Sequence, residues 1–250
     1  MKVFYMNGAG NDFMVMDARG LSADFSALAV ELCALRKADG FLAVGDSEQA
    51  DFKMIFYNSD GSQGEMCGNG ARCICRFAHD RGLVGDHMVF ETLAGLVSGW
   101  RLDENTYRVA LNLPTVLEPN RIGDVSYVEL GNPGIPHAVR PFSGDLFGEK
   151  DRLREEMRTL RFDKAFPKGA NVNFFELTGP DAFLEATFER GVEDFTYACG
   201  TGTGSVVTVL TLQGRVSGQT VRAQMRGGVL TMDVTAQSGA ARDLFLTGPA

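Results

Sequence analysis

Short apolar or alternating runs bounded by Gly, Asn, Asp or Pro recur along the chain, and this pattern predicts strands over residues 2–6, 13–17, 51–57, 87–92, 107–111, 127–130, 137–141, 171–177, 182–189 and 229–235. Helical spacing takes over in residues 26–36, 69–81, 150–160 and 201–213, with Gly82 and Gly214 standing where C-terminal caps belong. Strands outnumber helices, so the expected class is α+β.

An approximate repeat organises these elements. Cys67-Gly-Asn-Gly opens one predicted helix and Cys199-Gly-Thr-Gly opens another 132 residues later, about half the chain of 250. Each cysteine follows an extended acidic segment and precedes a helix that ends at glycine, which predicts two related lobes. The prolines at 114 and 119 break the strand pattern, so the expected lobes are residues 1–116 and 117–240, with residues 241–250 returning to the first.

Composition narrows the function. The chain is 44% hydrophobic and 22% charged, enough apolar content for a buried core. Lys+Arg 24 against Asp+Glu 32 leaves a net charge of −8, without the basic footprint of a nucleic-acid or anionic-membrane binder. No run has signal-peptide character or approaches the ~20 apolar residues of a membrane helix. A soluble, cytoplasmic protein acting on a small molecule is expected, with neither nucleic acid nor membrane as partner. Five cysteines, an odd number in a long chain, argue for thiols over a disulfide framework. The three histidines are scattered and Cys73-x-Cys75 lacks zinc spacing, so no metal is expected.

Chemistry concentrates in the two Cys-Gly turns. Free N–H groups of a first helical turn, with the positive end of the helix dipole behind them, form an anion site that needs no lysine. The same field favours a thiolate over a thiol, so both cysteines are expected to have lowered pKa values. Cys33, Cys73 and Cys75 lie inside helices and are expected to pack. Two reactive thiols suit the removal of a proton from one face of a carbon and its return to the other, which is racemisation or epimerisation. Neither a phosphate cup nor a Schiff-base lysine is visible, so no cofactor is expected.

The ordered motifs Asn7-Gly-Ala-Gly-Asn-Asp-Phe13, Asn58-Ser-Asp-Gly-Ser, Glu65-Met-Cys-Gly-Asn-Gly-Ala-Arg-Cys73, Gly131-Asn-Pro, Ala170-Asn-Val-Asn-Phe174 and Phe188-Glu-Arg-Gly-Val through Ala198-Cys-Gly-Thr-Gly202 resemble the diaminopimelate epimerase family nearly end to end. The resemblance implies two pseudo-symmetric lobes, each a curled, mainly antiparallel sheet around a central helix, and a homodimer. It implies inversion of diaminopimelate from LL to meso, with a racemase of another amino acid, such as histidine, as the alternative on the same scaffold. By motif position Cys67 and Cys199 would be the acid–base pair and Glu189 and His137 their polar supports. Asn11, Asn58, Asn132, Asn171 and Arg190 would contact the substrate, and Gly68, Asn69, Gly200 and Thr201 would bind its α-carboxylate. The segment from Pro133 to His137 is three residues longer than the family's Gly-Asn-Pro-His, so either Asn132 or His137 is expected to stand off its family position.

Overall fold

The computed structural model describes residues 2–250 and divides the chain into two compact units, 1–110 with 247–250, and 111–246. In the first unit the chain runs β1 (Val3–Gly8), β2 (Asn11–Asp17), α1 (Phe25–Arg36), β3 (Gly40–Gly45), β4 (Phe52–Asn58), α2 (Gly68–Asp80), β5 (His87–Thr92), β6 (Gly95–Arg101) and β7 (Thr106–Ala110). These strands lie side by side in chain order. Two joins are parallel, β2 with β3 and β4 with β5, each bridged by a helix; the others are antiparallel. Helix α2 touches β1, β2, β3, β4, β6 and β7, so the sheet curls around it.

The second unit repeats the plan. It runs β8 (Pro114–Ile122), β9 (Val125–Leu130), β10 (Ile135–Pro141), α3 (Lys150–Arg161), β11 (Asn171–Gly179), β12 (Ala182–Glu189), β13 (Asp194–Thr196), α4 (Gly200–Leu212), β14 (Val221–Met225), β15 (Gly228–Gln237) and β16 (Ala240–Pro249). Its parallel joins, β10 with β11 and β12 with β14, again flank the two helices. Helix α4 packs on β9, β10, β11 and β15. Ten of its thirteen residues are buried, as are ten of thirteen in α2, so both are core helices.

The elements missing from the sequence pattern have physical reasons. β3, Gly-Phe-Leu-Ala-Val-Gly, is buried at every position because α1 covers one face and α2 the other, so it shows no alternation. The expected break at 114–119 is instead part of β8, which ends the sheet order; a proline lacking its N–H is tolerated at a strand start or edge. The units therefore divide at Ala110, ahead of both prolines, and only 247–250 of the last strand belong to the first unit. No helix of the described residues is long and apolar enough to cross a membrane.

Candidate functional site

All five cysteines are thiols. Burial pushes Cys33 up to about 11 and Cys73 up to about 12, and Cys75 higher still, which suits packing residues. The remaining two cap α2 and α4.

Cys67 is the N-cap of α2, half-buried and extended in backbone, with its sulfur accepting the Gly70 N–H at 3.5 Å. A polar chain runs away from this turn. Asn11, at the start of β2, donates to Asp39 at 3.3 Å and accepts from Asn69 at 2.6 Å. The other end of the Asn69 amide accepts from Arg72 at 2.9 Å, and Arg72 also donates to the carbonyls of Gly68 and Pro249. Asn11, Gly68 and Asn69 are thus brought together beside Cys67. Asn58 ends β4 in an exposed turn, its amide donating to the Ser62 hydroxyl at 2.9 Å. A separate groove of about 610 Å³, lined by Tyr5, Arg76 and Arg81 among others, contains none of the expected site residues.

Cys199 caps α4 with the same extended backbone but is only 8% exposed. Thr201 Oγ1 lies 3.6 Å from its sulfur. Burial first, then the negative charge of Glu189, raises this thiol well above its ordinary range, against the opposing pull of Thr201 and the Gly202 amide. The expectation of a lowered pKa is corrected here: the partial charge of a helix end contributes typically 0.3–1 kcal/mol, less than the several kcal/mol of burying an ion.

His137 on β10 pairs in register with Asn171 on β11 and is fully buried. Burial, with Arg190 adding to it, lowers its pKa to about 3, so the ring is neutral at physiological pH. The tautomer follows from Asn173, whose Nδ2 faces the carbonyls of Ala138 and Asn171 and must donate; His137 Nδ1, 3.1 Å from that same nitrogen, is then the acceptor. The ring proton therefore sits on Nε2, which has no hydrogen-bond partner among the described residues. Asn171 donates to Pro136 O and accepts the Arg190 N–H at 2.8 Å. The exposed Arg190 side chain rests on Lys168 O at 3.0 Å. Glu189 accepts from Thr196 at 2.8 Å. Residues 131–134 form the hairpin joining β9 to β10, which absorbs the extra length; Asn132 sits exposed on it while His137 stays in the core.

Comparison with known proteins places this architecture. Residues 3–114 and 126–250 match the family described as diaminopimelate epimerase. The chain belongs to that family. It is 38% identical to the diaminopimelate epimerase of Aquifex aeolicus, with 99% of this chain and 94% of the relative covered. The enzyme of the same name from Flavobacterium psychrophilum is 34% identical, with 100% and 97% covered. A Bacillus anthracis phenazine biosynthesis protein of the PhzF family shares the fold at TM-score 0.74 and 16% identity, covering 100% of this chain and 96% of that one. A probable proline racemase from Agrobacterium radiobacter does so at 0.69 and 15%, covering 99% and 87%.

Several polar residues of this epimerase-family chain carry no role in the motif reading: Arg72 and Asn173, which lie inside its motifs, and Asp39, Glu185, Thr187 and Thr203. Strand alternation carried a signal for two of them, since Glu185 and Thr187 follow Phe183 in the buried phase of β12. A carboxylate in that phase demands a partner.

Proposed function

We propose that this protein inverts the α-carbon of diaminopimelate, LL to meso, with Cys67 and Cys199 as a two-base pair that needs no cofactor. The observation that carries the reading is the duplicated turn: each unit presents a cysteine as N-cap of a buried helix, followed by glycine and the N–H groups of a first helical turn. Inversion requires one proton taken and one delivered on opposite faces. In each direction one cysteine, as thiolate, takes the α-proton and becomes a thiol, while the other, as thiol, gives its proton to the opposite face and becomes a thiolate. Charge developing on the carboxylate carbon unit is met by the N–H groups of Gly68 and Asn69 and of Gly200 and Thr201. His137 and Glu189 support the Cys199 side, and Asn11, Asn58, Asn132 and Asn171 complete the substrate contacts.

Diaminopimelate is supported over a monocarboxylate such as histidine by the names of the relatives and by Arg190, an exposed guanidinium tethered beside Asn171 and suited to a distal carboxylate. The test is α-proton exchange in deuterium oxide on LL-diaminopimelate, L-histidine and L-lysine. Brisk exchange on diaminopimelate alone is expected. Arg190→Met should lose ~1.5–3 kcal/mol, roughly 10–150-fold in kcat/KM, on that substrate. Exchange on histidine with none on diaminopimelate overturns the assignment.

A further inference from the structure

Glu185 lies in the middle of β12, is 1% exposed, and has no role in the proton transfers above. Its Oε2 is 2.6 Å from Thr203 Oγ1, while Oε1 reaches no hydrogen-bond partner among the described residues. Thr203 is in the first turn of α4, and the same hydroxyl stands 3.0 Å from the carbonyl oxygen of Cys199 and 3.5 Å from Met225 Sδ. A hydroxyl has one hydrogen to give. If Glu185 were a carboxylate, Thr203 would donate to it and turn a lone pair towards the Cys199 carbonyl. A full charge would then be buried with only the Thr203 and Thr187 hydroxyls to meet it. With a proton on Oε2, both oxygen contacts of Thr203 are satisfied: Glu185 O–H donates to Thr203, and Thr203 donates onward to Cys199 O.

We propose that Glu185 is a positioning residue for Cys199, a neutral carboxylic acid that fixes the first turn of α4 through a Thr203 relay and whose ionisation releases that turn and sets a negative charge behind the thiol. Burial pushes this carboxyl up to about 8, against the pull of the Thr203 and Thr187 hydroxyls, in keeping with the donor count. The groups facing it are few. Cys199 comes from α4, and Glu189 stands further along its own strand. Arg226, after β14, lines the same small void and is engaged with Phe147 O. Beyond Thr187 lie Asn173 of β11 and the neutral His137 of β10.

The role in turnover rests on the two-thiol reading; the effect on Cys199 itself does not, so two measurements are paired. Cys199 alkylation by iodoacetamide, followed on its own peptide by mass spectrometry, and α-proton exchange on diaminopimelate are each recorded against pH for wild type, Glu185→Gln, Glu185→Leu and Thr203→Val. Glutamine keeps a donor for Thr203 and cannot ionise. It should hold exchange within about threefold of wild type near neutrality, lack the wild-type fall above about pH 8, and alkylate faster than wild type there. Leucine at 185 and valine at 203 break the relay and should lose about tenfold or more in exchange, the size of one buried hydrogen bond. The proposal is overturned if glutamine shows the wild-type alkaline fall, or if leucine behaves as glutamine does. Absence of exchange in every protein, with the alkylation difference intact, would reject diaminopimelate as substrate and leave the Glu185 role standing.

Discussion

Helices α2 and α4 both run thirteen residues from a cysteine N-cap to a glycine in the left-handed conformation, Gly82 and Gly214, whose N–H groups return to the carbonyls of His79 and Thr211. What lies buried near the two caps differs in sign. Near Cys67 is Arg72, lowered by burial only to about 10 and so still a cation at neutral pH, held by two carbonyls and an amide oxygen. Near Cys199 is the half-buried carboxylate of Glu189, with the neutral Glu185 behind it, and the thiol is raised. One backbone motif thus stands beside a buried cation in one unit and beside a carboxylate, with a raised thiol, in the other. The helix end supplies the anion-binding N–H groups, and the side chains behind it set the charge each sulfur meets. A two-base inversion starts with one proton on two sulfurs, so unlike surroundings suit it.

The harshest way to break the comparison is to delete either sulfur. Cys67→Ala and Cys199→Ala should each abolish epimerisation, a loss at or beyond the ~10²–10⁴-fold of general acid–base groups, with the circular dichroism spectrum unchanged. Useful residual inversion in either variant would mean that one thiol suffices.

The two regions should also respond differently to pH. Near α4, Glu185 is raised from 4.5 to about 8 and His137 lowered from 6.5 to about 3. Between about pH 4.5 and 6.5 the folded chain holds the Glu185 proton that the unfolded chain sheds, so stability falls as pH rises. In the same window the unfolded chain holds the His137 proton that the folded chain refuses, so stability rises with pH. Each slope is about 1.4 kcal/mol per pH unit, and the two offset. Glu185→Gln should gain on wild type from about pH 4.5 up to 8, whereas wild type should lose ground to His137→Gln as pH falls below 6.5. Urea midpoints at about pH 5 and about pH 7.5 read both. A gap between wild type and Glu185→Gln that does not widen with pH would mean the acid is ionised in the fold.

Much of this was legible in the chain. Hydrophobic pattern and glycine placement located all four helices to within a residue or so, and the paired Cys-Gly turns showed the duplication. Motif position also named residues that the fold pairs, Asn11 with Asn69 in the first unit and His137 with Asn171 across β10 and β11 in the second. Ionisation was not legible. Whether a helix-capping thiol is raised or lowered depends on burial and on charges that arrive from other strands, such as Glu185 and Glu189 of β12. Strand β3 was hidden for a related reason, since a strand covered on both faces loses its alternation.

The packing behind the turns offers a finer comparison. A Cβ at Gly202 would lie 2.2 Å from Asn173 Oδ1, whereas at Gly70, the equivalent place in α2, the nearest atom is Leu42 Cδ2 at 3.3 Å. Asn173 is fixed by bonds to Thr187 and His137 and cannot easily retreat. Gly202→Ala should therefore cost about 1–3 kcal/mol of stability, as overpacking does. Gly70→Ala should fall within about 1 kcal/mol of wild type, because alanine's helix preference offsets the tighter contact. Equal thermal shifts in the two variants would mean the amide network yields.

The smallest expected effect isolates the charge near Cys67. Arg72→Met removes the cation while keeping most of the apolar stem, and Arg72→Lys keeps a cation while losing the planar fork. Both leave some of the acceptors on Asn69, Gly68 and Pro249 unsatisfied, so both should lower stability, and stability cannot separate them. Thiol reactivity can. If the buried charge favours the Cys67 thiolate, methionine should slow alkylation of Cys67 about tenfold, the equivalent of about 1.4 kcal/mol, and lysine should restore most of it. Cys199 on α4 should alkylate at the wild-type rate in both variants. Slowing at Cys67 by methionine and lysine alike would show that Arg72 acts by holding the Asn69 amide in place, and the contrast in charge between the two turns would then rest on Glu189 near Cys199 alone.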